Sequence, residues 1–192
     1  SKRFLIHNSR KKEFIDRMKE VISKLRVGDP SKEDTQMGPM INIHAAQRIE
    51  EQVNKTIEQG ATLVCGGKRE DAFYYPTILD NVTKDMDVAK DMEIFGPVIP
   101  VIGFNTEEEA IEIANQSSYG LCGCVITKDY SRGLKIANKL ECGGAIVNGA
   151  SFFRSFEMPF GGWKHSGIGN EGVSSTLQEM SRVKTIVLKN IL

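Results

Sequence analysis

The sequence predicts an α/β fold, a mostly parallel sheet flanked by helices, and three observations predict it. An apolar, β-branched run at Pro97–Phe104 is followed by a helix signature and then by further apolar runs at Gly120–Thr127 and Gly144–Val147. Helical patterns occupy the connections between these runs, as parallel neighbours require, because a tight hairpin joins only antiparallel strands. The 192 residues, 40% of them hydrophobic and 26% charged, are enough for a globular domain with a sizeable core.

In chain order, residues 1–7 read as a β-strand from the outset, without an initiator Met or a cleavable apolar segment, so the sequence is expected to be part of a longer protein. Phe14, Met18, Val21, Ile22 and Leu25 recur at helical spacing and place an amphipathic helix over Arg10–Leu25, ended by Gly28-Asp29-Pro30. Residues 29–42 are a polar loop. Ile43, Ala46, Ile49, Val53 and Ile57 mark a second helix that stops at Gly60. Thr62–Cys65 and Phe73–Leu79 read as strands. Thr106–Glu109 is a capping box opening a helix to about Gln116, and a further helix covers Tyr130–Leu140. A short helix ends at Leu177–Met180, and Val183–Leu188 alternates as a strand outside the series, expected to serve assembly. The domain reading is one main domain over 1–181 and an oligomerisation strand over 182–192.

Lys+Arg and Asp+Glu are both 25, so no global field favours nucleic acid or an anionic membrane, and a small-molecule substrate suits the balance. The longest apolar stretches fall well short of the roughly 20 residues of a spanning helix. Four cysteines, Cys65, Cys122, Cys124 and Cys142, form no C-x-x-C pair, and a reducing cytoplasm is the expected location. Cys122 and Cys124 share one face of an apparent strand; they read as small core residues, because a metal would need further ligands and none is near in sequence. No metal is expected.

Two constellations carry chemistry. Glu93-Ile94-Phe95-Gly96-Pro97-Val98 stands where a loop enters a strand. A carboxylate there could accept both hydroxyls of a ribose, as acidic residues do in other dinucleotide sites, with Phe95 walling one side of a flat ring. Spacing alone favours a strand turn with a solvated Glu and a core Phe. The second constellation is the glycine-dense stretch from Asn148 to Gly172, including Pro159-Phe160-Gly161-Gly162-Trp163-Lys164-His165. Such a loop lets backbone approach a ligand or another loop closely. His165 lacks a Ser or Asp partner by spacing and reads as an exposed loop histidine more than a general base.

With Lys2-Arg3-Phe4, Gly38-Pro39, Glu93–Val98, Ser118-Tyr119-Gly120-Leu121, Gly144–Asn148, Pro159–Glu171 and Val183-Lys184-Thr185 in this order, the sequence resembles the aldehyde dehydrogenase superfamily over essentially its whole length. The resemblance implies the C-terminal part of a catalytic domain. It implies that Glu93 holds the nicotinamide ribose of NAD or NADP, that Phe95 packs near the nicotinamide, and that Arg48 supplies a basic group near the same ribose. It further implies that Phe160 lines the aldehyde tunnel, with Phe152, Phe153 and Arg154 in the variable loop that shapes it; that loop is about one residue longer here than in many relatives. In the family's mechanism a cysteine thiolate attacks the aldehyde, hydride passes to the nicotinamide from the thiohemiacetal, and a glutamate-activated water releases the acid from the thioester.

The resemblance also implies that the nucleophilic cysteine, the general-base glutamate and the cofactor domain lie upstream of Ser1, so this chain carries no catalytic residue and should be inactive alone. Its expected partners are a small aldehyde, the N-terminal remainder of the same enzyme, and further copies in a homodimer or homotetramer. Arg154 could pair with a distal carboxylate, which points to a semialdehyde such as succinate semialdehyde. An acylating or reductive relative, and a purely structural or assembly fragment, are the alternatives at this point.

Overall fold

The computed structural model describes residues 1–190, in two compact units, one over 1–118 and one beginning at Tyr119. The first unit opens with β1 (Phe4–His7), which runs directly into α1 (Asn8–Ser23), where the His7 ring accepts from the Ser9 N–H. α2 (Ile43–Glu58) follows the predicted loop, and the Asn42 side chain accepts from the Ala45 N–H at its start. Then come β2 (Thr62–Cys65), the short β3 (Arg69–Glu70) and β4 (Phe73–Tyr74), and β5 (Thr77–Val82). A single 3-10 turn at Asp87–Ala89 leads to β6 (Val98–Phe104) and α3 (Glu107–Asn115). The expected single strand over Phe73–Leu79 is thus broken at Tyr75-Pro76, because proline offers no N–H to a ladder.

The sheet has the order β1-β6-β5-β2, with β1 and β5 parallel to β6 and only β2 antiparallel. Its alternating side chains divide cleanly between two helices. On one face Ile78 and Val101 pack with Ile15 of α1, supported by Phe14, Met18 and Ile22. On the other, Leu79, Val98 and Ile102 join Ile49 and Val53 of α2. Each such buried aliphatic contributes about 1.5–3 kcal/mol.

The capping box forms with a shift. The Thr106 hydroxyl accepts from the Glu109 N–H at 3.2 Å, while the Glu109 carboxylate accepts from the Asn105 N–H at 2.7 Å, one residue earlier than the usual return bond.

The second unit contains β7 (Tyr119–Gly120), β8 (Cys122–Val125), α4 (Tyr130–Ala137), β9 (Gly144–Val147), β10 (Trp163–Lys164) and α5 (Val173–Glu179). β8 and β9 are parallel and joined by α4, as the crossover rule requires. Gly133 of α4 is buried, and a Cβ there would stand 2.7 Å from a Val147 methyl, so the helix lies close on its strand. The expectation of one continuous series through Pro97–Phe104, Gly120–Thr127 and Gly144–Val147 needs correction: β6 takes its partners from β1 and β5, and the second run divides at Leu121, with Tyr119–Gly120 pairing antiparallel to β10. Hydropathy reports that a run is buried, not which ladder it joins.

The tail differs too. Residues 181–190 have no regular secondary structure, and Val183, Ile186, Val187 and Leu188 are exposed. Within this chain the assembly strand expected over Val183–Leu188 is therefore not formed; the last two residues of the segment 182–192 lie outside the described residues. Among the described residues no helix is long and apolar enough to cross a membrane.

The first unit is fastened by Arg3. Its guanidinium donates to Ala89 O at 2.9 Å, Ile113 O at 2.7 Å and Ala114 O at 2.8 Å, tying the strand's entry to the 3-10 turn and to the carbonyl end of α3. Arg3→Met should lower unfolding stability by about 2–3 kcal/mol, since charge-assisted bonds to part-buried carbonyls are lost together. Urea unfolding followed by circular dichroism measures it, and a loss below about 0.5 kcal/mol would show that water replaces the guanidinium freely.

Candidate functional site

The Glu93–Val98 turn enters β6 under the cover of α2. Ile49 lies beneath Gly96, where a Cβ would meet its terminal methyl at 2.5 Å, so only glycine permits this approach. Gln52 Nε2 donates to Glu93 O at 3.3 Å. The backbone of Glu93 is thereby held while its side chain stays half-exposed. Phe95 is 74% exposed and is no core residue, which removes the core alternative left open by spacing. Arg48, exposed, lies one helical turn before Gln52, on the face of α2 that meets the turn.

Neighbouring charges reinforce this mouth. Asp91 accepts from the Ser118 N–H at 2.8 Å and from the Ser117 hydroxyl at 2.9 Å, and these bonds, the backbone one foremost, hold its carboxyl below the usual range. The Lys2 ammonium is buried, which lowers its pKa, while the charge of Glu93 opposes that shift. Gln52 and Asp91 were not singled out from sequence, and Lys2 was quoted there only within the Lys2-Arg3-Phe4 match. Gln52 could have been found, as the residue four after Arg48; the other two show no pattern until the turn is folded.

The glycine-dense loop is built separately. Phe160 and Glu171 exchange backbone hydrogen bonds at 2.8 and 2.6 Å and close its base. Within it the Lys164 Nζ pairs with Glu141 at 2.6 Å, and the Gly120 N–H donates to the Ser166 hydroxyl at 2.9 Å. Gly143 packs backbone to backbone on Gly161, where a Cβ would fall 1.7 Å from the Gly161 oxygen. Asn148, in the left-handed region at φ 57°, accepts from the Thr127 N–H at 2.8 Å and so ends the two parallel strands rather than facing a ligand.

Arg154 and Phe160 are brought together, the guanidinium carbon 3.7 Å from the ring centroid. Arg154 Nη1 also donates to Ser151 O at 3.2 Å and Phe153 O at 2.9 Å. Phe153 itself is exposed beside this pair, as is Phe152. His165 is exposed, edge-on to Tyr119 with centroids 6.4 Å apart, and among the described residues no carboxylate orients it as a base.

The cysteines depart from the expected core role. Cys124 is exposed, Cys122 and Cys142 are half-buried, and all four are free thiols. Burial pushes the half-buried Cys142 thiol up, away from the thiolate that a nucleophile requires. Among the described residues no group of three metal-ligating side chains forms.

The aldehyde dehydrogenase family model matches residues 1–186. The chain belongs to the aldehyde dehydrogenase family. A lactaldehyde dehydrogenase of Methanococcus aeolicus is 45% identical over 186 residues, covering 97% of this chain and 40% of its own length. A glyceraldehyde-3-phosphate dehydrogenase of Methanocaldococcus jannaschii, solved with NADP, superposes with a TM-score of 0.91 at 42% identity, over 98% of this chain and 41% of that one. An aldehyde dehydrogenase of Physcomitrella patens, solved with its reaction product succinate, gives 0.92 at 34% identity, over 98% and 39%. The chain thus spans about 40% of the length of these family members.

Because Gly143 and Gly161 meet backbone to backbone, Gly143→Ala must displace the loop that carries Trp163. The single tryptophan reports this directly: its emission should shift and unfolding stability should fall by about 1–3 kcal/mol. Unchanged emission and stability would mean the loop is not seated on Gly143.

Proposed function

We infer that the chain is part of an NAD(P)-dependent aldehyde dehydrogenase that oxidises an aldehyde to the carboxylic acid. The observation that carries this reading is the Glu93–Phe95 mouth: a half-exposed carboxylate on a tethered backbone, with an exposed aromatic two residues on and a basic residue on the neighbouring helix. These groups fit the nicotinamide end of a dinucleotide, with Glu93 accepting from ribose hydroxyls, Phe95 against the flat ring and Arg48 beside the ribose. The cofactor, when bound, accepts hydride from the substrate carbon. The relative solved with NADP supports the cofactor class.

The nucleophile and the water-activating glutamate are proposed to lie outside these 192 residues, because burial raises the Cys142 thiol and, among the described residues, none of the four cysteines has an oriented base. The chain by itself is accordingly proposed to be inactive, its role being to supply the ribose clamp and one wall of the aldehyde tunnel. The tail is proposed to pair with a second copy, giving a homodimer or homotetramer, in keeping with its exposed apolar residues.

For the substrate we take an aldehyde with a distal carboxylate, succinate semialdehyde being the type, bound by Arg154 with Phe153 and Phe160 as the apolar wall. The stacked guanidinium supports this, as does the relative solved with succinate.

In the full-length enzyme, Glu93→Gln should slow single-turnover formation of reduced cofactor about 10-fold or more while shifting unfolding stability by less than about 1 kcal/mol. An unchanged single-turnover rate overturns the cofactor role of Glu93. Separately, Arg154→Leu should raise KM about 10- to 100-fold for succinate semialdehyde and far less for butanal, as loss of a charge-assisted bond dictates. Equal effects on the two aldehydes would remove the carboxylate from the substrate class.

A further inference from the structure

α2 carries a polar row. Arg48, Gln52, Lys55 and Gln59 follow one another at helical spacing along one side of it, with Gln59 at the C-cap. Three of the four hold the segment that leads into β6. Gln59 Oε1 accepts from the Asp87 N–H at 3.2 Å, Lys55 Nζ pairs with Asp87 at 2.7 Å, and Gln52 Nε2 donates to Glu93 O at 3.3 Å. Beside the row, Ile49 lies under Gly96. The segment from Asp87 to Gly96 therefore runs along α2 from its C-terminal end toward its N-terminal end, and the member of the row next beyond Gln52 is Arg48.

These tethers differ in kind. Those of Lys55 and Gln59 are exposed, where water competes for them. The Gln52 bond is part-buried and falls on Glu93 itself, between Met92 and Ile94, whose side chains pack against the core that contains Ile49 and Val53. A carbonyl can only accept, so the amide must present Nε2 to Glu93; its Oε1 is then buried with no hydrogen-bond partner among the described residues. An unmatched buried acceptor costs at least what a neutral hydrogen bond returns, so stability is a poor account of this amide.

We propose that Gln52 is a positioning residue for the cofactor site: by fixing the Glu93 backbone on the polar row of α2, it sets the Glu93 carboxylate and the Arg48 guanidinium at one spacing, and the two meet the same ribose as a preset pair. Gln52 acts through Glu93 and touches no reacting atom. A carboxylate whose backbone is already placed gives up less freedom on binding, and a small misplacement of a binding group is costly in rate. This rests on the cofactor reading of Glu93 and Arg48, and the test separates the two.

The test is a double-mutant cycle in the full-length enzyme, Gln52→Met, Glu93→Ala and both together. It reads the calorimetric Kd for NAD and for NADP, the single-turnover rate of cofactor reduction, and the aldehyde KM at saturating cofactor. Gln52→Met keeps the side-chain length and lacks the N–H. It should weaken cofactor binding about 3- to 10-fold when Glu93 is intact and less than about 2-fold when combined with Glu93→Ala, the mark of coupled neighbours. The aldehyde KM and the unfolding midpoint should stay close to those of the unchanged enzyme. Gln52→Glu at pH 8, which keeps the size but turns a carboxylate toward the Glu93 carbonyl, should lose at least as much. Equal effects of Gln52→Met with and without Glu93→Ala, or none, would overturn the proposal while leaving Glu93 its role; no effect of Glu93→Ala alone would overturn the cofactor reading instead. A parallel rise in the aldehyde KM, or failure of both Gln52 variants to fold, would assign the bond to general stability and overturn the proposal.

Discussion

The Arg3 guanidinium is the constraint on which the first unit depends. Three carbonyls from two elements converge on it, Ala89 from the 3-10 turn and Ile113 and Ala114 from the end of α3. Helix ends leave carbonyls without partners, and a planar group with several donors can satisfy more than one of them at once. Gln116 adds to the same knot, donating to Lys84 O at 3.1 Å and to Ala89 O at 2.8 Å. Because β1 lies beside β6, and the turn that carries Asp91 and Glu93 leads into β6, fixing the start of β1 also fixes the ground under the Glu93–Phe95 turn. A lysine in place of Arg3 would present a point charge and could not reproduce this geometry.

The second unit is held by a different device. Side chains are scarce between Gly161 and Gly172, so the loop rests on close backbone contact at Gly143 and on the reciprocal Phe160–Glu171 bonds, with the Lys164–Glu141 ion pair beside them. Glycine matters here in two ways: Gly143 and Gly161 lack positive φ, yet each is crowded by other backbone, while Gly167, Gly169 and Gly172 take positive φ. The result is a loop whose aromatics, Trp163 among them, stay exposed because packing is done by the main chain.

Much of this was legible in the sequence, and the failures have physical reasons. The helical spacing of Ala46, Ile49 and Val53 marked the buried stripe of α2, and Thr106 to Glu109 marked the start of α3, since these are local patterns with one outcome. The Glu93–Phe95 mouth could be named, but only the fold decided that Phe95 faces outward. Cys122 and Cys124 were expected to be buried because they alternate in an apolar run; β8 has β9 on one side in this chain, and Cys124 remains exposed. Partnerships of strands, and contacts that form only after folding, such as Asp91 with Ser117 and Ser118, have no local signature. The tail alternates as a strand should, yet alternation does not provide the ladder that a strand requires.

The arrangement at Arg154 also bears on how a carboxylate would be chosen. The guanidinium commits Nη1 to two carbonyls of its own loop and lays its face on Phe160, contacts that fix its plane before any ligand arrives. The edge formed by Nε and Nη2 has the fork geometry that meets a carboxylate with two parallel bonds. A guanidinium already held in this way loses less rotamer freedom on binding than a free one, so more of its charge-assisted interaction appears as affinity. Phe160 holds the cation with one face of its ring, and with the proposed substrate it would also offer apolar surface to the carbon chain between carboxylate and aldehyde. A neutral aldehyde can use only the second, which is why the preference for an anionic substrate should reside in this pair and not in the loop as a whole.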